Sequence, residues 1–332
     1  MRPIKTTLFI TFILTYIVIL YITKFRSYES IAKCGSNGSK FKEKKIELDS
    51  ILNPEFKMNL QIKLEPTGLC KFKTNFIFIY IFTAVKSFTK RQLIRDTWAN
   101  KSLNLFNFNL AFIIGKTNHL NATIDKMLNL EQHKYNDLIQ GDFIDAYRNL
   151  SYKSLIAWKW IKDNCNQASY VFKLDDDILL NTVKLKNILN NYNIFKSTSN
   201  SLICNLYPAS YVIRDLKSPY SKWFVTQNEY NSNLYKNLSL GNDAYPPYCH
   251  GVGIVMTPDI ISKLYFKAFE IKLFWIDDVY VGILGKYINV QFENIAGQFS
   301  GDLNRAKDIL FISGAETSED VNKIWQLINH QR

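Results

Sequence analysis

The feature that most constrains this chain is Asn75-FIFIYIFTAV-Lys86, ten uncharged and mostly apolar residues between polar neighbours. Ten residues are too few to cross a bilayer as a helix. A run rich in Ile and Phe suits a strand buried on both faces of a sheet. Two shorter runs repeat the pattern: Leu110-AFIIG-Lys116 ends in glycine, and Ser169-YVFKL-Asp175 ends in acid. Between these two, Ser151 to Cys165 reads as a helix. Leu155, Ile156, Trp158 and Ile161 fall on one face, and Asn149 or Ser151 can cap it. In Thr317-SEDVNKIWQLI, residues Val321, Ile324, Trp325 and Ile328 mark an amphipathic helix with acids in its first turn. Strands alternating with helices predict a parallel, wound α/β sheet. No internal repeat is visible.

The N-terminal fifth differs in character. Residues 6–23 carry no charge, and at 1.5 Å per residue they span roughly 27 Å, enough for a hydrocarbon core. Arg2 and Lys5 precede the run and Lys24 and Arg26 follow it, so the Lys/Arg bias does not set its orientation. A cleaved signal peptide would want a shorter apolar stretch ending in small residues, whereas Tyr21 and Ile22 run straight into Thr23 and Lys24. The sequence predicts a tail at 1–5, a transmembrane signal-anchor at 6–23, a polar stem at 24–70 and a folded domain at 71–332.

The formal charge is +12, from 41 Lys and Arg against 29 Asp and Glu. Residues 1–73 hold 13 of those cations and 6 of those acids, so the basic excess is concentrated in the N-terminal fifth. Lys40, Lys42, Lys44 and Lys45 are interrupted by Glu43 and read as a solvated tether. With no dense basic stripe on the folded part, nucleic acid is not an expected partner. Apolar residues at 47% exclude a disordered chain, and 5 cysteines leave room for one or two bridges only. N-x-S/T sites at Asn37, Asn100, Asn121, Asn149 and Asn237 permit a secretory route, but a chain this rich in Asn acquires several by chance.

The strongest chemical signal is Asp175-Asp176-Asp177. Adjacent carboxylates repel, so their ionisation must be offset. The triplet closes an apolar strand, where open α/β sheets place ligands, and apolar Ile178-Leu-Leu180 follows it. Such oxygen-rich sites suit Mg²⁺ or Mn²⁺ together with phosphates. A second pair, Asp277-Asp278, follows Phe274-Trp-Ile276 and precedes an apolar stretch. An acid there serves either as a general base or as a helix cap. Arg91 and Arg95 share a helical face and would suit a diphosphate, or an ion pair. Tyr245-PPYCHGVG-Gly253 implies a tight turn with close backbone approach.

Together these segments resemble glycosyltransferase family 31, the β-1,3-galactosyltransferase-like group. Arg91-QLIRDT-Trp98 is similar to the family's R-x-x-I-R-x-T-W, and Phe112-IIG to its short strand ending in glycine. Asp137-LIQGDFIDAYRNLSYKS resembles D-x-x-x-x-D-F-x-D-x-Y-x-N-L-T-x-K-T, and Lys173-LDDDILLN resembles K-T-D-D-D-V-F-V-N. Lys222-Trp223, Tyr245-PPYCHGVG and Ile276-DDVYVG follow at family-like spacing.

The resemblance implies a GT-A-type, Rossmann-like mixed sheet flanked by helices. It implies a single-pass type II Golgi membrane enzyme with a luminal catalytic domain. Galactose would pass from UDP-galactose to the 3-hydroxyl of an acceptor glycan on protein or lipid, with inversion. Asp177, with Asp175, would hold Mn²⁺ or Mg²⁺. Asp175 and Asp176 would bind the donor's hydroxyls, and Arg91 and Arg95 its nucleotide end. Asp278 would be the base, with Asp277 as its understudy, and Trp223, Tyr248 and Gly251 would lie on the acceptor side.

Three departures stand out. Leu284 occupies a common cysteine position, which leaves the pairing of Cys70, Cys165, Cys204 and Cys249 open. Ile312-Ser-Gly314 lacks a histidine found before the last helix in many members. His250 replaces a serine and reads as a surface substitution. UDP-N-acetylglucosamine as donor, or a silent glycan-binding homologue, are the alternative readings.

Overall fold

The computed structural model describes residues 60–330 apart from 71–75, 101–105, 192–194, 196, 198, 236–237, 239–242 and 316. The expected tail, the signal-anchor and the stem up to residue 59 lie outside the described residues. Among the described residues, no helix is long and apolar enough to cross a membrane.

The chain order of strands is β1 (Ile62–Leu64), β2 (Ile77–Phe82), β3 (Phe108–Lys116), β4 (Leu138–Ile144), β5 (Tyr170–Asp175), β6 (Leu179–Leu180), β7 (Ser201–Tyr207), β8 (Ser210–Tyr211), β9 (Ala244–Tyr245), β10 (Tyr248–Met256), β11 (Gln291–Asn294), β12 (Phe299–Ser300) and β13 (Phe311–Ile312). The helices are α1 (Phe88–Asp96), α2 (Ala122–Tyr135), α3 (Leu150–Asn164), α4 (Thr182–Asn191), α5 (Asp259–Lys267), α6 (Asp277–Tyr287) and α7 (Ser318–Asn329). Eight strands form one sheet in the order β1-β4-β3-β2-β5-β10-β7-β11. β4, β3, β2 and β5 run parallel, as the alternation of strand and helix predicts. β1 and β10 run antiparallel to their neighbours, and β11 pairs parallel with β7, so the sheet is mixed.

β2 is central and wholly buried, as its unbroken apolar run requires. Its side chains alternate between two cores. Phe78, Tyr80 and Phe82 pack toward Trp158 and Trp160 of α3, and Ile77, Ile79 and Ile81 belong with Ile94, Trp98, Ile324, Trp325 and Ile328. α7 carries a capping box between Thr317 and Asp320. α3 is buried on more than its expected apolar face, because Ser151, Lys153 and Ser154 are buried too. The Ser151 hydroxyl donates to the Phe274 carbonyl. Asn149 flanks the helix, but its amide donates to the Ile144 carbonyl at 2.8 Å instead of capping.

The fold begins earlier than the boundary at residue 70 expected from the sequence. Ile62 and Leu64 pair with Gly141 and Gln140, and Leu60, Leu69 and Cys70 are buried. Cys70 is bonded to Cys165 and Cys204 to Cys249, which resolves the open pairing. Leu284 packs fully buried in the first core.

Candidate active site

The parallel strands β2 and β5 end together, with Phe82 level with Asp175. This is the edge where α/β sheets place ligands. Beneath it, the Lys153 ammonium lies 2.8 Å from Asp145 and donates to the Thr83 carbonyl at 2.5 Å. The same Asp145 carboxylate accepts from the Val85 and Gly115 amides at 2.9 and 3.0 Å, tying the ends of β2 and β3 together. Thr83 thus has a fixed place, and its hydroxyl donates to Asp176 at 2.8 Å. Lys90, from α1, donates to the other oxygen of Asp176 at 2.8 Å. Asp177, one residue on in the turn, is exposed. A cavity of about 280 Å³ lies against Asp176 and Asp177, walled by Lys90, Ile94 and Trp98 on one side and by Ala315, Thr317 and Val321 on the other.

The second acid pair opens α6. Ile276 holds the cap position, so Asp277 and Asp278 sit in the first turn, where the helix dipole favours negative charge. The Asp278 carboxylate accepts from the Val279 amide at 2.8 Å. Asp278 faces a cavity of about 470 Å³ lined largely by aromatic rings, among them Tyr207, Tyr220, Trp223, Tyr245 and Tyr248. Trp223 donates its indole N–H to the Tyr147 hydroxyl at 3.0 Å, and Tyr248 donates to Ser210 at 3.2 Å. His250 also lines this cavity, its ring 5.2 Å from that of Tyr207, so it is not the surface substitution expected. Burial, and then Lys173, hold its imidazole below the usual range.

Lys173 joins the two acid clusters. It points off β5 into the protein, and its ammonium is 2.8 Å from Asp175 and 3.5 Å from Asp277. It also donates to the Gly251 carbonyl at 3.0 Å. Gly251 lets β10 approach: a Cβ there would stand 3.4 Å from Asp278 Oδ2 and 3.8 Å from Lys173 Nζ. Burial, with Asp277 beside it, raises the Asp278 carboxyl to about 7. Partial burial likewise raises Asp175 to about 6, against the pull of Lys173. Burial opposes the charge on Lys173 itself, yet Asp175 and Asp277 hold it above the ordinary lysine range.

Asp175, Asp277, Asp278 and Gly251 are therefore gathered around one ammonium, while Trp223 and Tyr248 line the cavity that Asp278 faces. Arg91 and Arg95 are not part of this gathering, which corrects the expectation that they bind the nucleotide. Arg91 is 0% exposed; it grips Glu131 through two hydrogen bonds of 2.8 and 2.6 Å and donates to the Ala84 carbonyl. Arg95 pairs with Glu131 and Asp137 and stacks on Tyr135 at 4.0 Å. Both bind α1 to α2 and the sheet. Although burial pushes Glu131 up, the two guanidiniums hold its carboxyl below the usual range. Lys90 is the cation of α1 that reaches the triplet, at Asp176, while Lys173 holds Asp175. Lys90, Lys173, Thr83 and Tyr147 received no role from the sequence. The one available signal was a lysine inside an otherwise apolar strand, since a charge buried there needs partners.

Residues 89–296 match the family described as Galactosyltransferase, a span that takes in both acid clusters and the aromatic cavity. That match makes the protein a glycosyltransferase. The chain belongs to the galactosyltransferase family, of the family 31 type that its motifs resemble. It is 29% identical over 244 residues to Beta-1,3-galactosyltransferase 5 of Homo sapiens, covering 71% of this chain and 71% of that protein. It is 28% identical over 282 residues to Beta-1,3-galactosyltransferase 1 of Mus musculus, covering 82% and 79%. Among solved structures, the apo WbbM bifunctional glycosyltransferase is similar at a TM-score of 0.40 and 11% identity, over 81% of this chain and 53% of its own.

Members of such a family imply a divalent ion. Among the described residues, no group of three His, Cys, Asp or Glu side chains could hold one alone. Asp177 is exposed, and the Asp175 side chain is 39% exposed beside Lys173. One or two carboxylates completed by substrate phosphates is a usual way to hold Mg²⁺-like ions. The donor set fits an ion that arrives with a diphosphate, not one caged by the protein.

Proposed function

We propose that this enzyme transfers galactose from UDP-galactose to the 3-hydroxyl of an acceptor glycan, with inversion at the anomeric carbon. The observation that carries the reading is Lys173, whose ammonium bonds the donor-side carboxylate Asp175 and lies against the Asp277-Asp278 turn. The proposed base and the proposed donor site are thereby held beside one another.

In this reading the acceptor sugar lies in the aromatic cavity with its hydroxyl against Asp278. Asp278 takes the hydroxyl proton as the oxygen bonds to the anomeric carbon, and the bond from that carbon to the UDP oxygen breaks. A carboxyl raised to about 7 is a better base than an ordinary one and is still substantially ionised at neutral pH. Asp175 and Asp176 hold donor hydroxyls, and Lys173 keeps Asp175 and Asp277 from repelling each other. Asp177, with Asp175, would hold Mn²⁺ or Mg²⁺, which when bound neutralises negative charge on the leaving diphosphate. We also propose a single-pass type II placement in the Golgi membrane, with the uncharged run 6–23 as anchor.

The test is a screen of the purified full chain with UDP-galactose and UDP-N-acetylglucosamine, Mn²⁺ and a panel of acceptor glycans. The reading expects release of UDP with UDP-galactose and a β-1,3-linked product by NMR. Faster transfer from UDP-N-acetylglucosamine, or no transfer to any acceptor, overturns it.

A further inference from the structure

Under the acid triplet lies an ion pair that the reaction above does not use. Lys153 comes from α3 and Asp145 from the turn that follows β4. Their side chains are only 3% and 6% exposed and stand 2.8 Å apart. Taking such a pair out of water is costly, and apolar side chains of similar volume often give equal or greater stability. Stability is therefore a poor reason for it, and its geometry supplies a better one. Asp145 also accepts from the Val85 and Gly115 amides, so it binds the segment after β2 to the end of β3. A Cβ at Gly115 would stand 3.0 Å from the Asp145 amide and 2.7 Å from the Phe143 carbonyl, so glycine lets this turn settle on β3. Lys153 directs a second donor to the Thr83 carbonyl at 2.5 Å, which fixes the peptide just past β2.

Thr83 carries that order outward. It is buried, and its hydroxyl donates to Asp176 Oδ2 at 2.8 Å. The other oxygen, Oδ1, receives Lys90, whose side chain is 52% exposed. An exposed lysine holds a carboxylate weakly, because water competes and the long chain is free to turn. The Thr83 hydroxyl is the partner with a fixed place. Asp176 in turn lines the cavity of about 280 Å³. The links from Lys153 to Asp176 are thus continuous: ammonium to carbonyl, then the Thr83 residue itself, then hydroxyl to carboxylate. Groups that touch no ligand but orient those that do commonly cost 10–100-fold when removed.

We infer that Lys153 is a positioning residue for the donor: paired with Asp145 and acting through Thr83, it fixes the direction in which Asp176 meets the hydroxyls of a nucleotide sugar. This rests on the transferase reading above, in which Asp176 holds the donor, and deepens it.

The experiment compares the full chain with Lys153→Met, Thr83→Val and the double variant. Calorimetry with Mn²⁺ gives the dissociation constants of UDP-galactose and UDP-N-acetylglucosamine, urea denaturation gives stability, and steady-state rates give KM for donor and acceptor. Thr83→Val removes the hydroxyl but leaves the ion pair, so its denaturation midpoint should fall less than that of Lys153→Met. Measured on folded protein, each single variant should bind the donor roughly tenfold more weakly. The acceptor KM should not move, since none of Lys153, Asp145 and Thr83 lines the cavity that Asp278 faces. The double variant should bind no more weakly than Lys153→Met, because both changes cut one path. A purely structural role predicts lower stability with donor affinity intact, and that result overturns the inference. Losses that multiply in the double variant do so as well. If Lys153→Met does not fold, Thr83→Val decides alone, and wild-type donor affinity there overturns the inference. Wild type that binds neither nucleotide sugar overturns the transferase reading and the inference with it. Weakened donor binding in the variants of a chain that transfers sugar to no acceptor supports the inference and counts against the transferase reading alone.

Discussion

Replacing Lys173 with Met probes the junction between the two acid clusters. Methionine keeps much of the volume and removes the charge. Breaking a buried ion pair by deleting one partner costs about 3–5 kcal/mol. The Asp175 side chain is 39% exposed, so water takes over part of its neutralisation, whereas Asp277 is only 10% exposed. The Gly251 carbonyl loses its donor as well. The lower end of the range applies, about 3 kcal/mol. In a domain of this size that lowers the melting temperature by roughly 6–12 °C.

The loss should depend on pH. Asp175 already has its folded pKa raised to about 6, and without Lys173 it rises further. A carboxyl with a raised folded pKa contributes stability below its unfolded value, and that stability is lost as pH climbs through the folded value. The deficit of Lys173→Met is therefore larger at pH 8 than at pH 5. Thermal unfolding followed by intrinsic fluorescence at both pH values measures it. An unchanged melting temperature, or an equal deficit at pH 5 and pH 8, refutes the reasoning.

Arg91→Ala should cost about 3 kcal/mol in urea denaturation, because it leaves buried Glu131 with Arg95 alone and the Ala84 carbonyl without its donor, while leaving the UDP affinity of the folded protein unchanged. A loss of UDP affinity without a loss of stability would return Arg91 to the donor site. Cys249→Ser opens a bridge that spans a sequence separation of 45 residues and should cost up to about 4 kcal/mol, read as a lower denaturation midpoint. The rate kcat/KM should rise with pH through about 7, because Asp278 acts only when ionised. A profile flat between pH 5.5 and 8.5 would show that another group takes the proton.

The central strands were legible because burial on both faces leaves a continuous apolar run, and the acid triplet was legible because it ends one of them. β1 was not: three residues carry too little alternation to separate a strand from a stem. β10 was also hidden: its flanking prolines and its glycines read as a tight turn, whereas Tyr248–Met256 is a strand that runs antiparallel to β5. The spacing of Arg91 and Arg95 correctly placed both on one helical face, but spacing does not say whether that face looks inward. Here it looks inward at Glu131, and Lys90 beside it looks toward Asp176. Lys173 lay in plain view in Ser169-YVFKL-Asp175. Its partners come from β5, β10 and α6, and only the folded chain brings those together.

The account turns on Asp278 as the group that accepts the acceptor's proton. The direct measurement is Asp278→Asn, with UDP-galactose binding by calorimetry and turnover on the best acceptor measured side by side. The account predicts unchanged donor binding with turnover lowered at least ~100-fold. Turnover at the wild-type rate in Asp278→Asn would contradict it.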